Sequence, residues 1–399
     1  MLACILLVAV AAVFDAIMDP YLLFGTPRIA GFNARKPAVL TQDRLMKAYD
    51  VLRATPNTVI LGSSMVGIGL DAQHPAWPAH DRPVYNLALV GSGPYASYRY
   101  LQHVMARRHV DLVVLALDFE FFLTGSDYAP VGPEFEARLA VTRDGSANAA
   151  QTWQHIRDVF ESTLSLDALT DSAATLAGNL AGESTDLVAG NSPDTILRRF
   201  STGGSYPVLT LIDQLMIRRY RGKQTDPLVM THVRTILDLC ESHGTQVILL
   251  VNPVHADTLE ILDLLGDWQA FEDWKRELLA LSAKYPGTDG GSQIPLWDFS
   301  GYDSYSTETV LMGGHALHWF WDSKHYTRAL GDAIVRRIFG TGDIHFGARL
   351  TPEILEPHLM AIREERRLYR EQHPDDVRRV RELYDSVLGI PSRAMARLQ

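Results

Sequence analysis

The chain has 399 residues, enough for one large domain with insertions or for two domains. Its 47% apolar and 21% charged content is that of a folded globular protein, and a net charge of −10 excludes a general nucleic-acid binder, which needs a basic face. The two cysteines, Cys4 and Cys240, exclude a disulfide framework and a Cys/His zinc cluster.

Residues 1–14, MLACILLVAVAAVF, carry no charge and are followed by DAIMDPYLLFG. A spanning helix needs about 20 apolar residues and a signal-peptide core about 7–15, so this run falls between the two. Residues 1–24 are expected to be a membrane anchor or signal-like segment; a buried N-terminal helix is the alternative. The first basic residues, Arg28, Arg35 and Lys36, come after it. By the positive-inside rule they place the body in the cytoplasm, unless basic residues precede the segment in a longer chain.

Residues 40–54 read as a helix, with Leu45, Met46, Tyr49 and Leu52 at helical spacing. TVILG (58–62) and PVYNLAL (83–89) read as buried strands, SYRYLQHVMARRH (97–109) as an amphipathic helix and DLVVLALDF (111–119) as a third strand. Residues 122–225, rich in Ser, Thr, Ala, Gly and Asp, read as a partly helical insertion that covers the carboxyl edge of the sheet. The α/β pattern then resumes with a helix (226–244), a strand (245–253), a helical segment (256–284), a last strand (294–300) and a helix (327–340). Strands this apolar, alternating with helices, predict a doubly wound parallel sheet over residues 40–340. Residues 341–399 form a charged helical extension whose Arg/Glu alternation suits a solvated or partner-facing helix pair.

In such sheets ligands bind at the carboxyl ends of the strands. Four polar stretches fall there: Gly62-Ser63-Ser64, NLALVG (Asn86 to Gly91), Asp118-Phe119-Glu120, and WDSKH, which carries Asp322 and His325. A serine hydroxyl needs an imidazole to take its proton, and the imidazole needs a carboxylate to hold its tautomer. The Asp322–His325 loop supplies both from one piece of chain. Ser64 is the expected nucleophile and Ser63 the residual candidate, with hydrogen bonding inside the loop as its other role. His255, in VNPVHAD, is either a substrate contact or a helix cap. The run HWFW is expected to pack the loop, with sugar stacking as the other reading. His315 and His318 have no carboxylate at ligand spacing, so no metal is assigned, and nothing calls for a cofactor.

Together these blocks resemble the SGNH (GDSL-like) hydrolase superfamily over most of residues 55–340 outside the insertion. Gly62-Ser63-Ser64 matches the family's Gly-Asp-Ser block, with Ser63 at the aspartate position and Ser64 at the nucleophile. Asn86–Gly91 looks like the Asn-x-Gly-x-x-Gly turn with Ala88 in place of the first glycine, and Asp322 and His325 match the closing D-x-x-H block. The resemblance implies catalysis by Ser64, His325 and Asp322, and an oxyanion hole from the backbone N–H groups of Ser64 and Gly91. Asn86 and Ser63 are candidates for the oxyanion and substrate side, with bonding to the nucleophile loop the expected role of Asn86. One block departs: LDFEFF stands where the family's Gly-x-Asn-Asp would supply a further donor, and Asp118 or Glu120 would repel an oxyanion unless protonated or turned away.

The serine-serine variant, the N-terminal segment and the insertion look like the branch of cell-envelope acyl-transfer proteins that includes DltD, AlgJ and AlgX. That likeness implies an esterase or O-acyltransferase acting on an acylated small molecule or carbohydrate polymer. It also implies attachment to the inner membrane through the N-terminal segment, a body on the periplasmic face and a membrane-bound acyltransferase partner. The alternative function is a non-catalytic scaffold in an envelope polysaccharide assembly complex.

Overall fold

Short runs of valine, isoleucine and leucine form the strands, and their two-residue period sends alternate side chains into two separate cores. The computed structural model describes residues 1–123, 133–182, 190–191, 204–287 and 291–390. The remaining parts of the expected insertion, and the end of the charged extension, lie outside the described residues.

In chain order, α1 (Leu2–Met18) and α2 (Asp43–Ala54) precede β1 (Thr58–Leu61), α3 (Ser64–Gly69), β2 (Val84–Asn86), α4 (Pro94–Met105) and β3 (Leu112–Leu117). The insertion contributes α5 (Pro133–Arg138), α6 (Gln151–Leu164), α7 (Leu166–Leu180) and α8 (Tyr206–Tyr220). Next come α9 (Pro227–His243), β4 (Gln246–Val251), α10 (Ala256–Leu265), α11 (Trp268–Ser282) and β5 (Leu296–Asp298). The chain ends with α12 (Arg328–Ile338), β6 (Ala348–Leu350), α13 (Pro352–Gln372) and α14 (Pro374–Leu388). The expected single helical segment at 256–284 is two helices, because Gly266 turns left-handed at φ 86° and ends the first.

The six strands form one sheet in the order β2-β1-β3-β4-β5-β6. All pairs are parallel except β5 with β6, where Leu296 faces Leu350 and Asp298 faces Ala348. The edge strand β6 went unread in the sequence, since three residues carry no periodicity. Val59, Leu61, Val113, Leu115, Leu117 and Leu249 face a core shared with α2, α4, α9 and α11. Ile60, Val114, Ala116, Ile248 and Leu250 face the other core, with α3 and α12. Helices on both faces make this a doubly wound α/β sheet.

On the second face α3 and α12 meet backbone to backbone. A Cβ placed on Gly331 would lie 1.9 Å from the Gly69 carbonyl oxygen, so only glycine permits this approach. The contact brings the helix headed by Ser64 against the helix that follows His325.

Two expectations about extensions are corrected. Of the described insertion, α8 reaches the carboxyl edge, where Met216 and Tyr220 line a small apolar cavity with Asp118 and Glu120. By contrast, α6 and α7 pack against α1. The C-terminal helices are docked: Leu355, Leu359, Ile362, Tyr369 and Val380 are buried in the first core. Their arginines reach inward, Arg366 to Asp263 at 2.8 Å and Arg370 to the same carboxylate at 2.6 Å. The Arg/Glu alternation therefore reflects pairing with α10 and α11 as well as with solvent.

Candidate active site

After β1 the chain must turn sharply into α3 while lying against β3. Gly62 makes the turn at φ 149°, and a Cβ there would stand 2.8 Å from Val66 Cγ2 and 3.0 Å from the Ala116 carbonyl oxygen. Ser63 caps the helix: its Oγ accepts the Met65 N–H at 3.2 Å and donates to Asp118 Oδ2 at 2.5 Å. Ser64 is the first residue of α3, and its Oγ lies 2.9 Å from His325 Nε2.

His325 is held by a tight reversal of the chain. Phe320 bridges Tyr326 in antiparallel fashion, and the Trp321 N–H donates to the His325 carbonyl at 2.8 Å. Inside this reversal, Asp322 Oδ1 accepts the backbone N–H groups of Lys324 at 2.7 Å and His325 at 2.8 Å. Its Oδ2 lies 2.7 Å from His325 Nδ1. Asp322 is wholly buried. Burial alone would raise its carboxyl, but the attraction and hydrogen bond of His325 and the two backbone donors outweigh it and hold the group below the ordinary carboxylate range. An ionised Asp322 keeps the proton on Nδ1, which leaves the Nε2 lone pair facing the serine hydroxyl. Such an arrangement is able to take a proton from a serine hydroxyl and return it to a leaving group.

Asp118 and Glu120, the carboxylates expected to repel an oxyanion, are engaged by other groups. Asp118 accepts Ser63 Oγ–H on one oxygen and Asn252 Nδ2 at 2.6 Å on the other. Burial and the neighbouring charge of Glu120 push its carboxyl upward. Glu120 is ion-paired with Lys324, inside the catalytic loop. Asn252, whose Oδ1 accepts the Tyr326 hydroxyl at 3.0 Å, thus ties β4, β3 and the catalytic loop together. Sequence reading missed Asn252 and Lys324; the signal available was a lone asparagine ending the apolar run VILLV.

The other expected residues divide sharply. Gly91 lies in a left-handed turn at φ 63° whose position is set by two residues of α2: Asp43 accepts the Val90 N–H at 2.8 Å, and Arg44 donates to the Ser92 hydroxyl at 2.9 Å. The Leu89 N–H donates to the Gly62 carbonyl at 3.0 Å, which joins this turn to the nucleophile loop. Of its two expected roles, Asn86 has that of bonding the nucleophile segment, and it is not a substrate contact. It is wholly buried, and its Nδ2 donates to the carbonyls of Val66 at 2.9 Å and Leu70 at 3.0 Å, so it clamps α3 and touches no open space. Ser63 is buried too, so of its expected roles it performs loop bonding. His255 is a cap, buried between the Asp257 N–H and the Glu308 carbonyl, the latter 2.7 Å from Nε2. Trp319 packs edge-on against Tyr305 with ring centroids 4.7 Å apart, in keeping with a packing role for HWFW.

Beneath the catalytic loop lies a buried ionic cluster that sequence reading did not find. The carbonyl of Ser323, next to Asp322, accepts the Thr258 hydroxyl at 2.8 Å and the His255 N–H at 3.0 Å. Between His255 and Thr258 in the chain, the wholly buried Asp257 is paired with Arg379 of α14 at 2.7 Å. Burial would raise Asp257, but His255 and Arg379 lower it to about 2. Asp213 of α8, also wholly buried, faces Asp257 and Ser323; burial and the Asp257 charge push its carboxyl well above the ordinary range. Comparison with known proteins identifies no relative, since no protein-family model and no curated protein matches the chain.

Proposed function

We propose that the chain is a serine-dependent acyl-handling enzyme of SGNH type, an esterase or O-acyltransferase. The observation that carries this reading is the linked relay Ser64–His325–Asp322, with 2.9 and 2.7 Å contacts at the carboxyl edge of a doubly wound sheet. Ser64 Oγ attacks an ester carbonyl as its proton passes to His325 Nε2. The Ser64 and Gly91 backbone N–H groups receive the oxyanion. Collapse of the intermediate expels the alcohol, which takes the proton from His325 and leaves an acyl-Ser64. Water or a sugar hydroxyl, deprotonated by the same imidazole, then accepts the acyl group. A non-catalytic scaffold would have no need of this relay, so the geometry favours the enzyme. Carbohydrate as acceptor, membrane attachment through the N-terminal segment and a periplasmic body belong to the same proposal, and protease accessibility in spheroplasts tests the last.

The experiment is turnover of p-nitrophenyl acetate, together with labelling by a fluorophosphonate. Wild type is expected to hydrolyse the ester and to carry the label on Ser64. Ser64→Ala and His325→Ala should each lose about 10³-fold or more in kcat. Turnover that survives in Ser64→Ala but vanishes in Ser63→Ala would overturn the nucleophile assignment. Absence of both turnover and label on Ser64 would overturn the enzyme.

A further inference from the structure

Helices α6 and α7 have their polarity inside out. In α6 the inward stripe is Gln154, Asp158 and Ser162, all buried, whereas Trp153, Ile156, Phe160 and Leu164 face outward. In α7 the inward stripe is Ala168, Ser172, Thr175 and Asn179, and Leu166, Leu169 and Leu180 face outward. The exposures are large: Trp153 is 71%, Phe160 62%, Leu166 82% and Leu180 72% exposed. In α6 the outward set recurs at three- and four-residue steps as one continuous stripe, and in α7 exposed Ala173 and Ala177 fill the interval between Leu169 and Leu180. Both helices pack on α1, which buries Asp15 and exposes Leu2, Ile5, Leu6, Val10, Val13 and Ile17.

A water-soluble helix hides its apolar stripe and solvates its polar one. Here several of the polar groups are inside and hydrogen-bonded, while Arg157 and Glu161 of α6 stay exposed and pair with each other at 2.8 Å. Asp158 accepts both Arg138 nitrogens at 2.8 Å and the Tyr49 hydroxyl at 2.7 Å, and Asn179 exchanges hydrogen bonds with the Arg35 backbone at 2.9 Å. Hydroxyls on these helices return to the backbone one turn earlier, Thr163 to Val159 at 2.8 Å and Ser165 to Glu161 at 2.7 Å. That pattern suits hydrocarbon, where no outside partner exists. A protein partner would ask for the opposite, since protein interfaces carry about one hydrogen bond per 100–200 Å². Charge points the same way. Asn33 ties the Pro27 carbonyl to the end of α1, which sets exposed Arg28 there, and Arg35 stands beside Gly178 at the end of α7. Arg28 and Arg35 thus mark the ends of α1 and α7, where the phosphates of a headgroup layer would lie.

We infer that α1, α6 and α7 together form a face that beds into a phospholipid bilayer, so that the insertion, and not the N-terminal helix alone, holds the protein on the membrane. At 14 and 15 residues, α6 and α7 are about 21 and 22 Å long, short of the roughly 30 Å hydrocarbon layer, so they enter it from one side without crossing. This inference does not depend on the acyl chemistry.

The test is flotation of the full chain with vesicles of phosphatidylcholine containing one-quarter phosphatidylglycerol. A variant with Phe160→Asp and Leu169→Asp leaves α1 and every inward residue untouched. Its partition into vesicles is expected to fall about a hundredfold, with far-UV circular dichroism and melting in detergent unchanged. Brominated phosphatidylcholine should quench a part of the tryptophan emission that Trp153→Phe removes. Equal flotation of the double variant and wild type would mean that α1 acts alone and would overturn the inference. So would a wild type that ignores vesicles and forms detergent-independent dimers, because the face would then be a protein interface.

Discussion

Replacing Arg379 by methionine removes the α14 cation that pairs with Asp257, and its consequence follows from the burial of the cluster. Asp257 and Asp213 are both wholly buried, and each raises the energy of the other when charged. The 2.7 Å pair with Arg379 and the adjacent His255 keep Asp257 ionised. Breaking a buried pair by removing one partner costs about 3–5 kcal/mol, because a charge is left uncompensated. Arg379→Met is therefore expected to lose about that much in urea denaturation at pH 7. The pH dependence carries the sign. In wild type the Asp257 carboxyl sits at about 2, below its ordinary value, so its contribution is present above pH ~4 and is lost as pH falls towards 2. In the variant this carboxyl should be raised instead. Folding then takes up a proton, and the deficit relative to wild type grows as pH rises from 5 to 8. Because Thr258 and His255 hold the Ser323 carbonyl, kcat should fall as the Asp322 loop loosens, and Arg379→Lys should restore part of both losses. A deficit below about 1 kcal/mol that is flat from pH 5 to 8 would refute the reasoning and return α14 to the status of a solvated helix.

Two further outcomes follow from the site. Asp322→Asn keeps the size of the side chain but removes the charge that selects the His325 tautomer; kcat for ester hydrolysis should fall about 10³–10⁴-fold with KM little changed, as steady-state kinetics will read. Gly331→Ala places a methyl 1.9 Å from the Gly69 carbonyl oxygen, so α12 must move from α3. About 1–3 kcal/mol of stability should be lost by calorimetry, with a separate drop in kcat as His325 shifts from Ser64; unchanged melting and turnover would contradict the close approach.

The strand positions and the relay were legible early for different reasons. Buried parallel strands are apolar runs of four to eight residues, so β1, β3 and β4 stand out without any tertiary knowledge. Asp322 and His325 were readable because one loop carries both. Asn86 and His255 are polar side chains at strand ends, and composition cannot by itself tell an inward-facing side chain from one that meets a substrate. Asn86 proves to be spent on the Val66 and Leu70 carbonyls.

The polarity of α6 was hidden for a related reason. Its stripes are plain in the periodicity, but which stripe faces the protein depends on Asp158 being met by Tyr49 of α2, 109 positions away, and by Arg138 of the preceding helix. The same holds for the C-terminal helices, whose charge alternation reads as solvated until Arg379 is seen to pair with Asp257. Local chain physics, then, determined the element types, the turn at Gly62 and the residue types available for proton transfer. The tertiary structure decided which hydroxyl meets which imidazole: Ser64 and His325 are 261 positions apart and come to 2.9 Å only because α3 and α12 pack through Gly69 and Gly331 on one face of the sheet. Pairings across such separations depend on sheet order and helix approach, neither of which any local stretch of sequence contains.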